Sequence, residues 1–326
     1  MTLLPFEKEK REILVKREAE TNPSFGCFPD KRPVTELLDF GVINLNKPKG
    51  PTSHLCSDFV QKTLHIDKAG HGGTLDPGVT GVLPTAIGRA TRVVQALLKA
   101  GKEYVGILHL HKEVERKDFD KVVTEFTGKI IQLPPVKSAV VRQEREREIY
   151  YFDVLEFDGK DVLFRMGCQA GTYVRKVCHD MGIKLKVGAH MSELVRTKAG
   201  PFNDSDWVSL QDLEDAYAFW KEENNEKFLR YCIKPVEFAV NHLPKLWVQD
   251  SAVDTLCHGA SLNAPGIVKL ESGIKKNDMV AVMTLKEELI ALGNAVMTSE
   301  QLMTEQKGFA VKIDKVFMHP GTYKTK

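Results

Sequence analysis

The chain has 326 residues, 42% hydrophobic and 28% charged, with a formal net charge of only +2. That length implies two or more domains with ample core, the composition excludes a fibrous or disordered chain, and no apolar run reaches the length of a membrane span. The apolar start of the N-terminus is too short for a signal peptide, and the six cysteines form neither a Cys-x-x-Cys pair nor a His/Cys metal pattern. Reduced thiols in a cytoplasmic protein are therefore expected.

Taken in chain order, residues 1–20 are charged and weakly patterned, and 22–33, with three prolines, read as an extended connection. A strand is predicted from Gly41, stopped by the turn Pro48-Lys-Gly-Pro51. Thr52 or Ser53 then caps a helix to about Leu64, with Leu55, Phe59, Val60 and Leu64 on one face. A glycine-rich loop follows at 70–77, a helix near 91–99 and a strand at 103–110. Strands at 149–157 and 161–168 are joined by the hairpin signal Asp158-Gly159. Thr172 caps a helix carrying Tyr173, Val177 and Met181. A strand is expected at 189–197 and one long helix at 209–231. Composition shifts near Pro244 into short β-like runs (245–248, 279–285, 288–292, 309–317) and a short helix at 251–257. The expected class is α+β: an N-terminal extension (1–35), a mixed-sheet body (36–244) and a small β-barrel-like unit (245–326).

Charge is segregated along this chain. Residues 165–198 carry seven basic side chains against two acidic ones, and 204–237 nine acidic against four basic. Such segregation permits a basic face for phosphates at a near-neutral total, although on charge alone two ordinary solvated surfaces are the favoured reading.

The most unusual segment is GHGGTLDPGVTGVLP, residues 70–84, with five glycines and two prolines around one carboxylate, Asp76. Glycine lets a backbone approach a ligand closely, and Pro77 restricts the backbone of Asp76. The run lacks the Gly-Lys-Ser/Thr of a phosphate-cradling loop. By itself, an Asp-Pro pair is a turn.

This segment resembles the signature loop of the TruB-type pseudouridine synthases. Further matches follow in the family's order: Lys102-Glu-Tyr104, Pro134-Pro-Val-Lys-Ser-Ala139 and Gly171-Thr-Tyr-Val-Arg175, then a C-terminal stretch similar to a PUA domain. Glu20-Thr-Asn-Pro-Ser-Phe-Gly26, Asn46-Lys-Pro-Lys-Gly-Pro-Thr-Ser-His54 and Val187-Gly-Ala-His-Met191 are similar to the dyskerin-type branch, in its archaeal form. The resemblance implies an RNA isomerase that needs no cofactor and no metal. It also implies partners: an H/ACA guide RNA, rRNA, tRNA and small accessory proteins, with no membrane.

The same resemblance implies the roles. Asp76 is the nucleophile, its first adduct forming at the sugar or at the ring. Tyr104 stacks on the flipped uracil, and Arg175 pairs with Asp76 and aims it. His71 helps displace the target nucleotide and Tyr173 lines the pocket, or else the helix core. Lys137, Arg142 and Arg145 belong to an RNA-clamping loop, and Lys184 and Lys186 to phosphate contacts. Two departures stand out: Gly72 replaces the family's Ser or Thr, and the clamp's arginines alternate with Glu144, Glu146 and Glu148. His109 and His111 share a strand face, but with no third metal ligand visible they are read as structural. Alternative readings are a stand-alone synthase for the tRNA TΨC loop and a non-catalytic RNA-binding scaffold.

Overall fold

Two mixed sheets organise the chain in a computed structural model that describes residues 2–134 and 143–324. In chain order the strands are β1 (Ile13–Val15), β2 (Gly41–Lys47), β3 (Ala69–His71), β4 (Thr80–Ile87), β5 (Lys102–Leu110), β6 (Gly128–Gln132), β7 (Arg145–Asp158), β8 (Asp161–Cys168), β9 (Ala189–Ala199), β10 (Phe202–Asn203) and β11 (Ile233–Pro235). They continue with β12 (Lys245–Val248), β13 (Leu262–Asn263), β14 (Ile267–Glu271), β15 (Met279–Met283), β16 (Leu289–Ala295) and β17 (Phe309–Val316). The larger sheet runs β11-β2-β4-β9-β5-β8-β7-β6, with β3 on β4 and β10 on β9, and the smaller runs β1-β14-β12-β15-β16-β17-β13. Parallel pairs β4/β9 and β12/β15 make both sheets mixed, as the α+β expectation requires.

The sheets share apolar core. Val42, Val82 and Ala86 of the larger sheet and Trp247, Ala281 and Leu292 of the smaller belong to one buried cluster. The N-terminal segment straps the two: Lys198 of β9 holds Glu7 at 2.9 Å, while β1 pairs antiparallel with β14.

A buried ionic joint lies at the same junction. Arg32, 2% exposed, makes two hydrogen bonds to the Glu237 carboxylate at 2.9 and 2.8 Å, and Glu237 also accepts from the Leu289 amide of β16 at 2.9 Å. Removing one partner of a buried pair strands the other charge. Arg32→Met is therefore expected to destabilise the protein by about 3–5 kcal/mol, and Arg32→Met with Glu237→Leu by less, in denaturant unfolding. Equal losses in the single and double variants would show that the charge pairing is irrelevant there.

Several local expectations are corrected. Thr52 does cap the helix Ser53–Thr63, accepting from the Leu55 amide, but Leu55 and Phe59 point outward. Ser53, Cys56, Ser57 and Val60 form the buried face, because both serine hydroxyls have internal partners. Thr172 does not cap: its hydroxyl donates to the Gln169 carbonyl in a turn, and the helix Val174–Lys184 starts two residues later. The single helix expected at 209–231 is two, Leu210–Glu223 and Lys227–Cys232. Asn224, in the left-handed region at φ 54°, ends the first. The strand β7 begins at Arg145, earlier than expected.

Candidate active site

The carboxylate Asp76 stands on the loop between β3 and β4, and buried groups grip that loop at nearly every turn. The Ser53 hydroxyl accepts from the Leu75 amide at 2.8 Å and donates to the Leu75 carbonyl at 3.1 Å. The Val79 amide closes the Asp-Pro-Gly turn on the Asp76 carbonyl at 3.0 Å. Lys47, fully buried, donates to the carbonyls of Pro48, Pro77 and Val79. Burial lowers the Lys47 ammonium pKa, while Asp76 acts in the opposite direction. Arg196, 1% exposed, donates from Nε to the Val82 carbonyl at 2.8 Å and from Nη2 to the Gly73 carbonyl at 2.9 Å. One guanidinium thus holds both ends of the segment that carries Asp76. Gly73, at φ 140°, adopts a backbone that L side chains rarely reach, right against that guanidinium.

Arg175, the second residue of the helix Val174–Lys184, meets Asp76 at 2.8 Å, and both side chains are about half exposed. Tyr104 on β5 is the cross-strand partner of Arg196 on β9, so the phenol and the guanidinium are neighbours. Burial raises the Tyr104 hydroxyl pKa; Arg196 opposes that shift and Asp76 adds to it. Tyr104 stays protonated at neutral pH. The three groups expected to act together are therefore assembled around one loop.

His71, at the end of β3, lies beside them. Its Nδ1 is 3.4 Å from the Ser57 hydroxyl and its Nε2 3.3 Å from the Thr74 hydroxyl. Burial lowers its pKa, with Arg196 and His54 acting in the same direction, so it is neutral at pH 7. Tyr173 is placed by the side chain of the buried Gln132, which accepts from the Tyr173 amide at 3.0 Å and donates to its carbonyl at 3.2 Å. Tyr173 precedes the helix instead of packing within it.

Other expected residues stand elsewhere. Lys137 and Arg142 lie outside the described residues. Arg145 opens β7, where a period of two puts Arg145 and Arg147 on one, half-buried face and Glu146 and Glu148 on the exposed one. The alternation of charge thus separates a basic face from an acidic one. Lys184 pairs with Glu125 at 2.7 Å, nine residues beyond Arg175 and so about 14 Å along the helix. Lys186 is exposed just past the helix end, in the left-handed region. Neither lysine reaches Asp76.

Gly72 has a packing reason. A Cβ there would come within 2.8 Å of the Leu97 side chain, so the family's hydroxyl residue does not fit unless Leu97 moves. Close by, Lys102 donates to the carbonyls of Leu97, Leu98 and Ala100 at the end of the helix Val94–Lys99, and burial pushes its pKa down to about 7. His109 takes Asp161 at 2.7 Å, and His111 takes His190 at 3.1 Å. Among the described residues no group of three or more His, Cys, Asp or Glu is arranged to hold a metal.

Lys47, Arg196, Gln132 and Ser53 are the site residues that the sequence reading missed. Lys47 and Ser53 stand inside the Asn-Lys-Pro-Lys-Gly-Pro-Thr-Ser stretch already singled out. Their burial was the missing information.

Comparisons with known proteins show the family and the overall fold. Residues 61–174 match the N-terminal domain of the TruB family pseudouridylate synthases, and 175–241 match the tRNA pseudouridylate synthase B C-terminal domain. Residues 244–317 match a PUA domain and 2–56 the DKCLD domain. A probable tRNA pseudouridine synthase B of Thermococcus onnurineus is 58% identical over 95% of this chain and 93% of its own length. Its namesake in Methanopyrus kandleri is 53% identical over 98% and 94%. A crystal structure of a Cbf5-Nop10-Gar1 complex contains a chain that superimposes with a TM-score of 0.96 at 55% identity, covering 100% of this chain and 99% of that one. A structure of an H/ACA RNP bound to a substrate RNA containing 2'-deoxyuridine matches at 0.93 and 53%, covering 99% of each.

Proposed function

This chain belongs to the TruB family and is an RNA pseudouridine synthase, and from that premise we propose which residues act and on which RNA. Asp76 is the nucleophile. The bond between uracil N1 and the ribose C1' breaks, the freed base turns, and C5 joins C1' while C5 loses its proton and N1 gains one. Atoms balance within the nucleotide. Asp76 supplies the carboxylate that bonds transiently to the nucleotide. Arg175 fixes its direction, Tyr104 offers a flat face to the extruded base, and neutral His71 helps displace the target nucleotide. The observation that carries this reading is the 2.8 Å pairing of Asp76 with Arg175 on a loop held by two buried cations.

The targets follow from the relatives. A structure named for a Cbf5-Nop10-Gar1 complex and one named for an H/ACA RNP bound to a substrate RNA align with 100% and 99% of the chain. We assign the protein to such a complex in the archaeal cytoplasm, with guide RNA choosing the uridine in rRNA. Residues 36–244 form its catalytic domain, and 245–326, with the 1–35 extension, an RNA-holding PUA domain. Base pairing then reads sequence, and the protein holds backbone and shape. The relatives named as tRNA synthases favour a second activity on the tRNA TΨC loop without a guide.

A guide swap tests this. The protein is assembled with guide RNA and accessory proteins, and pseudouridines are mapped. Modification is expected at the unpaired uridine of the guide's pocket, moving when the pairing arms are changed. If it ignores the arms and stays in the TΨC loop, the protein is a stand-alone tRNA enzyme.

A further inference from the structure

A buried glutamine stands at the rim of the larger sheet. β6 is the edge strand there, next to β7, and its other residues are exposed or half-buried, whereas Gln132, its last, is 3% exposed. Burying an amide is costly unless its donor and its acceptor both find partners. Gln132 finds both on one residue. Its Oε1 accepts from the Tyr173 amide at 3.0 Å, and its Nε2 donates to the Tyr173 carbonyl at 3.2 Å.

The helix Val174–Lys184 starts from Tyr173, and that start is weak by itself. The tyrosine side chain caps no amide, as Ser, Thr, Asp or Asn would. The first turn holds no acidic residue but carries Arg175 and Lys176, two cations at the positive end of the helix dipole. Lys176 is answered by Asp180 one turn on, and Arg175 by Asp76 across the site. Val174 and Val177 bury the inner face of the helix in the core, but apolar contact has no direction. The two hydrogen bonds from Gln132 do have direction. They fix the peptide groups on either side of Tyr173, two residues before Arg175. We infer that Gln132 is a positioning residue: it orients the first turn of this helix so that the Arg175 guanidinium meets the Asp76 carboxylate. The inference rests on the reading of Asp76 and Arg175 as the catalytic pair. Gln132 acts through the helix and not on the substrate.

Gln132→Met removes both bonds at nearly constant volume. The variant, as the full chain assembled with guide RNA, accessory proteins and target, is assayed at saturating RNA beside wild type, Arg175→Ala and the double variant, with unfolding of the chain followed in parallel. A misplacement of about 1 Å can cost on the order of 10²-fold, so kcat is expected to fall about 10- to 100-fold with the Kd for RNA within about twofold of wild type. The double variant is decisive. Because Gln132 works through Arg175, adding Gln132→Met to Arg175→Ala should lower kcat by no more than about threefold further. A glutamine with a merely structural role gives losses that multiply. Multiplied losses overturn the inference, as does a folded Gln132→Met protein with kcat within about twofold of wild type. Should Gln132→Met not fold, Gln132→Glu enters the same cycle with the same two outcomes: it keeps the shape and sets a carboxylate oxygen against the Tyr173 carbonyl in place of the donor. Asp76→Asn measured in parallel separates the two claims. A turning-over Asp76→Asn protein defeats the catalytic reading, whereas an inactive one together with multiplied losses defeats only the role of Gln132.

Discussion

Asp76→Asn is expected to lower pseudouridine formation by a factor of about 10⁴ or more, with RNA affinity and unfolding midpoint close to wild type. Asparagine matches aspartate in size but has no carboxylate to form the covalent bond. The loop itself does not depend on the Asp76 side chain. Its fixed points are the backbone bonds from Ser53, Lys47 and Arg196, and the turn closed by the Val79 amide. A folded variant with turnover within tenfold of wild type would contradict the assignment.

Arg175→Ala is expected to lower kcat by about 10²–10³, the usual cost of removing one charged group aimed at the reacting centre. The argument turns on exposure. Both partners of the pair are about half exposed, so the pair contributes at most about 1 kcal/mol to stability. Its effect must then appear in turnover, because Arg175 decides where the Asp76 oxygens point. Lys184→Ala and Lys186→Ala should instead change only affinity and its salt slope, since Lys184 stands at the far end of the helix from Arg175 and Lys186 just beyond it. A changed salt slope with unchanged kcat in Arg175→Ala would place that residue outside the catalytic set.

The catalytic loop was legible because its chemistry is concentrated in 15 consecutive residues, and Tyr104 and Arg175 sit in short motifs of their own. The strand β4 was not. Gly81 and Pro84 argue against a central strand, yet Thr80–Ile87 runs through the middle of the larger sheet. The structure supplies the reason. Carbonyls of Val82 and Pro84 both point away from β2, Val82 to Arg196 and Pro84 to the Gly72 amide at 2.7 Å. On that side β9 pairs only with Thr80 and Gly81, and β3 only from Thr85 onward. Pro84 therefore lies in a gap where no neighbouring strand needs its missing N–H. The same gap is where the Asp76 loop leaves the sheet. The role of Arg196 was hidden for a related reason: in sequence it belongs to a basic run, and only the cross-strand register sets it against Tyr104.

The central claim, that this chain isomerises uridine through Asp76, is tested most directly by tritium release. Joining C5 to C1' expels the hydrogen on C5, so a target RNA labelled with tritium at uridine C5 loses label to water once per event. Wild-type protein assembled with guide RNA should release tritium in a 1:1 ratio with pseudouridine recovered from the digested RNA, and Asp76→Asn should release none. Tight binding of the RNA by wild-type protein with no release of tritium would contradict the account.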